Sequence, residues 1–215
     1  MKKKQILVFT LLISSLTLFA QTYITNVTLV DVEKQKLVPN QTVVISNDII
    51  SNIQKSNKIK IPENATIIDG TDKYLIPGLV DAHIHFFQNG GLYSRPDVID
   101  LTKHKSYNHE IALAKTDMET KLRRYLQNGI TSVIDVGANY QLLQQRKDFT
   151  DKKYSPTVYI TGPLLTTYKS KVYENLGENN PFALTKTIED GINAVKQQLQ
   201  YNPDFIKIWY IVGAD

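Results

Sequence analysis

Cysteine is absent from the 215 residues. Its absence excludes a disulfide framework, a thiolate metal site, a cysteine nucleophile and a lipid-modified N-terminal cysteine. Glycine (10) and proline (8) are too few for a collagen-like or proline-rich low-complexity chain. Long apolar runs are scarce as well. Only residues 6–20 form one, and nothing of that length follows, so a multi-span membrane protein is excluded. A surplus of one charge is missing from the body of the chain. Lys2, Lys3 and Lys4 supply three of the four net positive charges, which leaves 22 basic against 21 acidic residues and no electrostatic footprint for nucleic acid. What remains, 42% hydrophobic and 21% charged, is a globular composition that excludes wholesale disorder, and the length allows one or two domains.

The three N-terminal lysines lead into the apolar run, which Thr10, Ser14, Ser15 and Thr17 interrupt and the small Ala20 closes before Gln21. A basic start, an apolar stretch of 15 residues and a small residue at its end predict a secretory signal peptide over residues 1–20. The rival is an uncleaved anchor, but the run falls short of the roughly 20 residues that cross hydrocarbon. The mature chain is therefore expected to be exported, periplasmic or secreted, with no membrane attachment once the signal is removed.

Residues 21–75 read as a small β-sandwich-like module. Residues 24–32, 41–45, 49–53 and 65–68 are short β-branched runs, and Ser46-Asn47-Asp48 and Asp69-Gly70 supply turns between them. Some fifty residues of sheet are marginal alone. From Ile76 the pattern changes. Strand-like runs at 79–86, 130–136, 157–161 and 205–212 alternate with helix-period segments at 110–127, 140–149 and 186–201. On the last of these, Ile188, Ile192, Val195 and Leu199 share a face. The order β-α-β-α-β-α-β implies an α/β unit of parallel strands covered by helices. Two long loops, 86–109 and 162–185, leave the carboxyl ends of strands, where such folds carry their sites.

The chemistry concentrates at Ile76-Pro77-Gly78-Leu79-Val80-Asp81-Ala82-His83-Ile84-His85. A strand has period two, so His83 and His85 share a face at its carboxyl end and can hold one divalent cation through their imidazoles. The plainer alternative is a pair of half-exposed histidines near a strand end. Lys207 lies in an apolar run with Phe205 and Trp209. An ammonium inside a sheet is costly unless paired, so it is either ion-paired, or solvent-facing on an edge, or converted by carbon dioxide to a carbamate that can bridge two cations. Asp81 shares the histidines' face and reads as an acceptor for an imidazole or as the partner of a buried cation. Asp135 ends the second strand and reads as lining the mouth. His104 and His109 read as surface residues, and Tyr93, Tyr107 and Tyr168 as loop residues within reach of a substrate.

Together with Asn128-Gly129-Ile130-Thr131-Ser132-Val133-Ile134-Asp135-Val136-Gly137, Thr161-Gly162-Pro163 and Asp204-Phe205-Ile206-Lys207-Ile208, the His-x-His strand resembles the amidohydrolase superfamily. The resemblance is nearest to its exported imidazolonepropionase-like and Xaa-Pro dipeptidase-like members and covers nearly all of the mature chain. It implies a (β/α)8 TIM-type barrel with one or two divalent metals at its mouth. Zn2+ is expected, with Mn, Fe or Co also suited to such ligands. It further implies His83 and His85 as ligands and Lys207 as the carbamylated bridge. It also calls for two later histidines and a later aspartate that acts as acid and base. Residues 76–215 number 140, against about 250 for a whole barrel. The expectation is therefore an incomplete barrel, its first four strands, with no catalytic residue in this chain because the aspartate lies beyond residue 215.

The function that follows is metal-dependent hydrolysis of a carbon–nitrogen bond in a small amide, cyclic amide or dipeptide, by a fragment inactive alone. The alternatives are a catalytically silent truncated protein, a mononuclear deaminase-like member that would not need Lys207, and an exported β-rich binding module. No nucleic-acid partner is expected. An unpaired fourth strand would leave an edge through which two copies could pair.

Overall fold

The computed structural model describes residues 21–96 and 98–212 and divides the chain into two compact units that meet between Pro77 and Gly78. The expected signal peptide lies outside the described residues. Among those described, no helix is long and apolar enough to cross a membrane.

The first unit is one mixed sheet. β1 (Thr22–Asp31) pairs antiparallel with β2 (Lys36–Ser46), and β2 pairs antiparallel with β3 (Ile49–Lys55). On its other side β1 runs parallel to β4 (Thr66–Asp69) and then to β5 (Tyr74–Leu75). The β2–β3 turn forms at the residues expected, with Asn47 at φ 51° and Asp48 at φ 63°, the double left-handed geometry of a two-residue hairpin. Tyr23, Val27, Val43 and Val44 are buried on the central strands. Ile49, Ile50, Ile67 and Ile68, on β3 and β4, are exposed. The module, expected from the sequence as an incomplete sandwich, is among the described residues a single five-stranded sheet with no facing one.

The second unit is built on three parallel strands, β6 (Leu79–Ile84), β7 (Ile130–Asp135) and β8 (Thr157–Ile160), in that spatial order. Between β6 and β7 lie α1 (Tyr107–Thr116) and α2 (Met118–Gln127), and α3 (Tyr140–Phe149) joins β7 to β8. Ile84, Phe86, Met118, Leu122, Val133, Leu142, Phe149 and Ile160 form the core between sheet and helices. One helix was expected over 110–127. It divides at Asp117, whose ψ of 7° leaves the helical range, and beside the break the Ala114 carbonyl accepts from the Lys121 ammonium (3.2 Å). Asn139 caps α3, its side chain accepting from the Leu142 N–H (2.8 Å).

Beyond β8, the long loop holds β9 (Leu164–Thr166) and β10 (Phe182–Leu184), paired parallel, followed by α4 (Ile188–Leu199) behind a Thr187–Asp190 capping box. The face that Ile188, Ile192, Val195 and Leu199 share on α4 is largely open: Ile188 is 86% and Leu199 60% exposed. Residues 205–212 are not the fourth strand expected. They run parallel to 160–167 but make a single bridge, Leu165 with Ile208. A four-stranded part-barrel is thus reduced here to a three-stranded parallel sheet with one attached extended segment. The interruption lies at Pro163, which has no N–H and whose carbonyl already accepts from the buried Gln198 amide (2.6 Å).

Candidate functional site

β6 ends at Ile84, so His83 is its penultimate residue and His85 the first beyond it. The two rings meet edge to face, 5.3 Å between centroids. Asp81 does not reach an imidazole; its carboxylate accepts from the His83 backbone N–H (3.3 Å). The His85 Nδ1 lies 3.0 Å from the Gly137 carbonyl oxygen. A carbonyl can only accept, so Nδ1 carries the proton and Nε2 keeps its lone pair. Gly137 sits close to the ring: a Cβ at that position would stand 3.0 Å from His85 Cε1 and from Leu164, a tight contact to which those side chains would have to yield. Burial pushes the His85 imidazole below its ordinary proton affinity. The nearby His83, Arg95 and Lys207 push the same way, while the Gly137 bond opposes them. Burial thereby favours the neutral ring, the state a metal ligand needs.

Asp135 does not line a mouth. It is fully buried behind His85, because β7 places it opposite Ile84 on the core side of the sheet. Its Oδ2 accepts from the Phe86 N–H (3.1 Å) and its Oδ1 from the Gly137 N–H (3.1 Å). Burial pushes the Asp135 carboxyl up to about 7 against the pull of those two N–H groups and of Lys121. Lys121, its own ammonium pushed down by burial, donates to the Phe86 carbonyl (3.4 Å).

His83, His85 and Lys207 line one cavity of about 200 Å³, and with them stand Arg95, Phe87, Tyr173, Phe182 and Trp209. Lys207 is delivered by the Leu165–Ile208 bridge: its carbonyl accepts from the Leu165 N–H (3.0 Å), and the Trp209 N–H donates to the Leu165 carbonyl (2.8 Å). Among the described residues no carboxylate pairs with Lys207 and none lines the cavity. Nor do three His, Asp or Glu side chains come together there in a group able to hold a metal ion. The donor set that fits a divalent cation is two imidazoles, one locked by a backbone acceptor. The adjoining amine fits only if it is made anionic.

The aromatic wall was not anticipated. Phe182 and Trp209 stack at 5.5 Å and 13°, and Tyr173 meets Phe182 edge-on at 5.1 Å. Trp209 alone is legible in the sequence, where the period of two puts it on the same face as Lys207. Arg95, Tyr173 and Phe182 come from long loops where no periodicity operates. Of the tyrosines named from sequence, Tyr168 backs the wall through Trp209 (5.7 Å), Tyr107 is buried against Tyr173, and Tyr93 lies under Lys105. His104 and His109 are exposed.

Among curated proteins none matches the chain. Several solved structures share its fold. A prolidase complexed with N-methylphosphonate-L-proline is 21% identical, with a TM-score of 0.66 over 88% of this chain and 46% of that one. An Aspergillus niger ochratoxinase is 21% identical, with a TM-score of 0.63 over 88% and 46%. A Xaa-Pro dipeptidase with bound methionine is 22% identical, with a TM-score of 0.61 over 88% and 47%. The chain spans less than half the length of each. The family model described as "Amidohydrolase family" matches residues 74–206, the stretch that carries His83 and His85. Matched over more than half of its residues, the chain belongs to the amidohydrolase family.

Proposed function

We propose that this chain is the N-terminal part of an exported, metal-dependent hydrolase of carbon–nitrogen bonds in a small amide, cyclic amide or dipeptide, and that the 215 residues alone are catalytically silent. In this reading β6, β7, β8 and residues 205–212 open a (β/α)8 barrel. The observation that carries it is the convergence of His83 and His85 with Lys207, more than a hundred residues later, on one cavity beyond the carboxyl ends of the strands. Family membership and the resemblance to a prolidase and a Xaa-Pro dipeptidase support the reaction class.

His83 and His85 would hold one divalent metal, Zn2+ foremost, through their Nε2 atoms. Lys207, as a carbamate formed from its amine and carbon dioxide with loss of a proton, would add an anionic ligand able to bridge a second. Bound there, the metal supplies Lewis-acid polarisation of a carbonyl and a lowered pKa for water. Phe182, Trp209 and Tyr173 shield the site from bulk water and offer a flat surface to an apolar substrate group. Among the described residues no carboxylate lines the cavity to take the proton of the attacking water, and positioned acid–base help is worth roughly 10²–10⁴ in rate. That gap is the reason for expecting silence. Export would remove residues 1–20, and N-terminal sequencing should then find Gln21 first; a mature protein beginning at Met1 would refute export.

The test is titration of the purified chain with Zn2+, followed by assay against dipeptides and cyclic amides. Zn2+ uptake that His83→Ala abolishes, without turnover, is the expected result. No uptake would sink the metal reading. Metal-dependent hydrolysis that His83→Ala removes would sink the silence.

A further inference from the structure

We propose that Asp135 is a positioning residue for His85: by holding the Phe86 and Gly137 peptides it keeps the Gly137 carbonyl on Nδ1 and leaves Nε2 as the ring's donor atom. Its role toward a metal rests on the function proposed above, whereas the ring's tautomer does not.

The side chain has no ordinary reason to be there. It is an acid with no exposed surface, and no cation pairs with it directly: the neutral His85 ring has its Nδ1 3.8 Å from Oδ1, and the Lys121 ammonium is spent on carbonyl oxygens. Burying such a group costs free energy unless its oxygens are satisfied. Both are satisfied by backbone N–H groups that flank His85: Phe86 is the next residue along the chain, and Gly137 is the residue whose carbonyl the ring contacts. Gly137 is therefore held in both of the peptide units it joins, the preceding one through the N–H that Asp135 accepts from and the following one through the C=O that His85 contacts. Phe86 is fixed on both sides too, Asp135 taking its N–H and Lys121 donating to its carbonyl. A hydrophobic residue at 135 would leave two buried N–H groups without partners. An asparagine would satisfy one and set its own NH2 against the other. In either case the Gly137 N–H loses its anchor, and the Gly137 carbonyl is steadied only through the Ala138 N–H of the same peptide, which donates to the Gly162 carbonyl at a long 3.3 Å. The acceptor that decides which imidazole nitrogen is protonated is then less firmly placed.

The chain contains four histidines, so two-bond 1H–15N correlation spectra of 15N-histidine-labelled protein can separate them, with His85→Gln assigning the ring of interest. The expected result in the metal-free wild type is a single Nδ1–H tautomer at His85. In Asp135→Asn, and in Asp135→Ser as a second variant, a mixture with the Nε2–H form is expected, with the far-UV circular dichroism retained. Zn2+ affinity should fall roughly 10- to 100-fold, the usual consequence of losing a group that orients a ligand. A wild-type His85 protonated at Nε2 overturns the inference even if no variant folds, and so does an unchanged tautomer in a folded variant. If the tautomer shifts as expected but the wild type takes up no Zn2+, Asp135 keeps its positioning role and the metal reading is what fails.

Discussion

β6 and residues 205–212 are both apolar, both bring a side chain to the same cavity, and both would pass for interior strands. One is a strand and the other is tied to the sheet by a single bridge. The difference lies in their neighbours. β6 lies beside β7, a β-branched run with every N–H available, and the two pair from Leu79 to Ile84 with two irregularities in register. Residues 205–212 lie beside Thr161-Gly162-Pro163, where Pro163 donates nothing and its carbonyl is held by Gln198. Gly162 is needed at that point because a Cβ would stand 2.7 Å from the Gln198 side-chain oxygen. Whether an apolar segment becomes a strand depends on the donors its neighbour offers as much as on its own side chains.

The contrast can be tested through stability. Leu122 is fully buried beneath the β6–β7 side, and Ile208 is 65% exposed. Leu122→Ala should cost about 2–5 kcal/mol and Ile208→Ala about 0.5 kcal/mol or less, read from urea unfolding midpoints. Equal losses would mean that the two sides are not differently packed.

The next effect is one of pH. β7 ends in a buried acid, and 205–212 contains none. In the unfolded chain Asp135 titrates near 3.8 and in the folded one near about 7. Between those values the folded state binds the proton and the unfolded state does not. The contribution of Asp135 to the stability of the metal-free protein therefore falls as pH rises from about 4 to about 7. The difference in unfolding midpoint between wild type and Asp135→Asn isolates this contribution from opposing groups such as His85. A difference that stays flat across the window would show that the carboxyl titrates normally.

Gln198→Leu should cost about 1–3 kcal/mol, because a buried carbonyl loses its partner. Amide exchange at Leu165 and Trp209 should quicken with it. A small change in stability, within about 1 kcal/mol of wild type, is expected for Pro163→Ala. It restores one donor, so amide exchange over 205–209 should slow. If protection there is unaltered, the proline is not what interrupts the pairing.

Periodicity made β6, β7 and β8 legible, and turn chemistry gave the Asn47-Asp48 hairpin. The split between α1 and α2 was hidden because the backbone turn at Asp117 leaves no mark in the hydrophobic period of 110–127. The α4 stripe Ile188, Ile192, Leu199 was read correctly as one face, but a pattern of side chains does not say whether anything covers it. At the site, His83, His85 and Lys207 were visible as residue types in strand-like context. The aromatic wall and the Asp135 contacts were not, since both depend on which loop and strand ends meet in space.

The bond between His85 and Gly137 joins residues 52 apart in sequence. It therefore has a place in time. While β6 emerges from the ribosome its imidazole rotates freely and exchanges its proton between the two nitrogens. The ring acquires a fixed orientation only once α1 and α2 have folded back and β7 has docked, a non-local event slower than forming either helix. Binding at that ring belongs to the end of folding, and an ion captured earlier meets a histidine that has not yet chosen which nitrogen to offer.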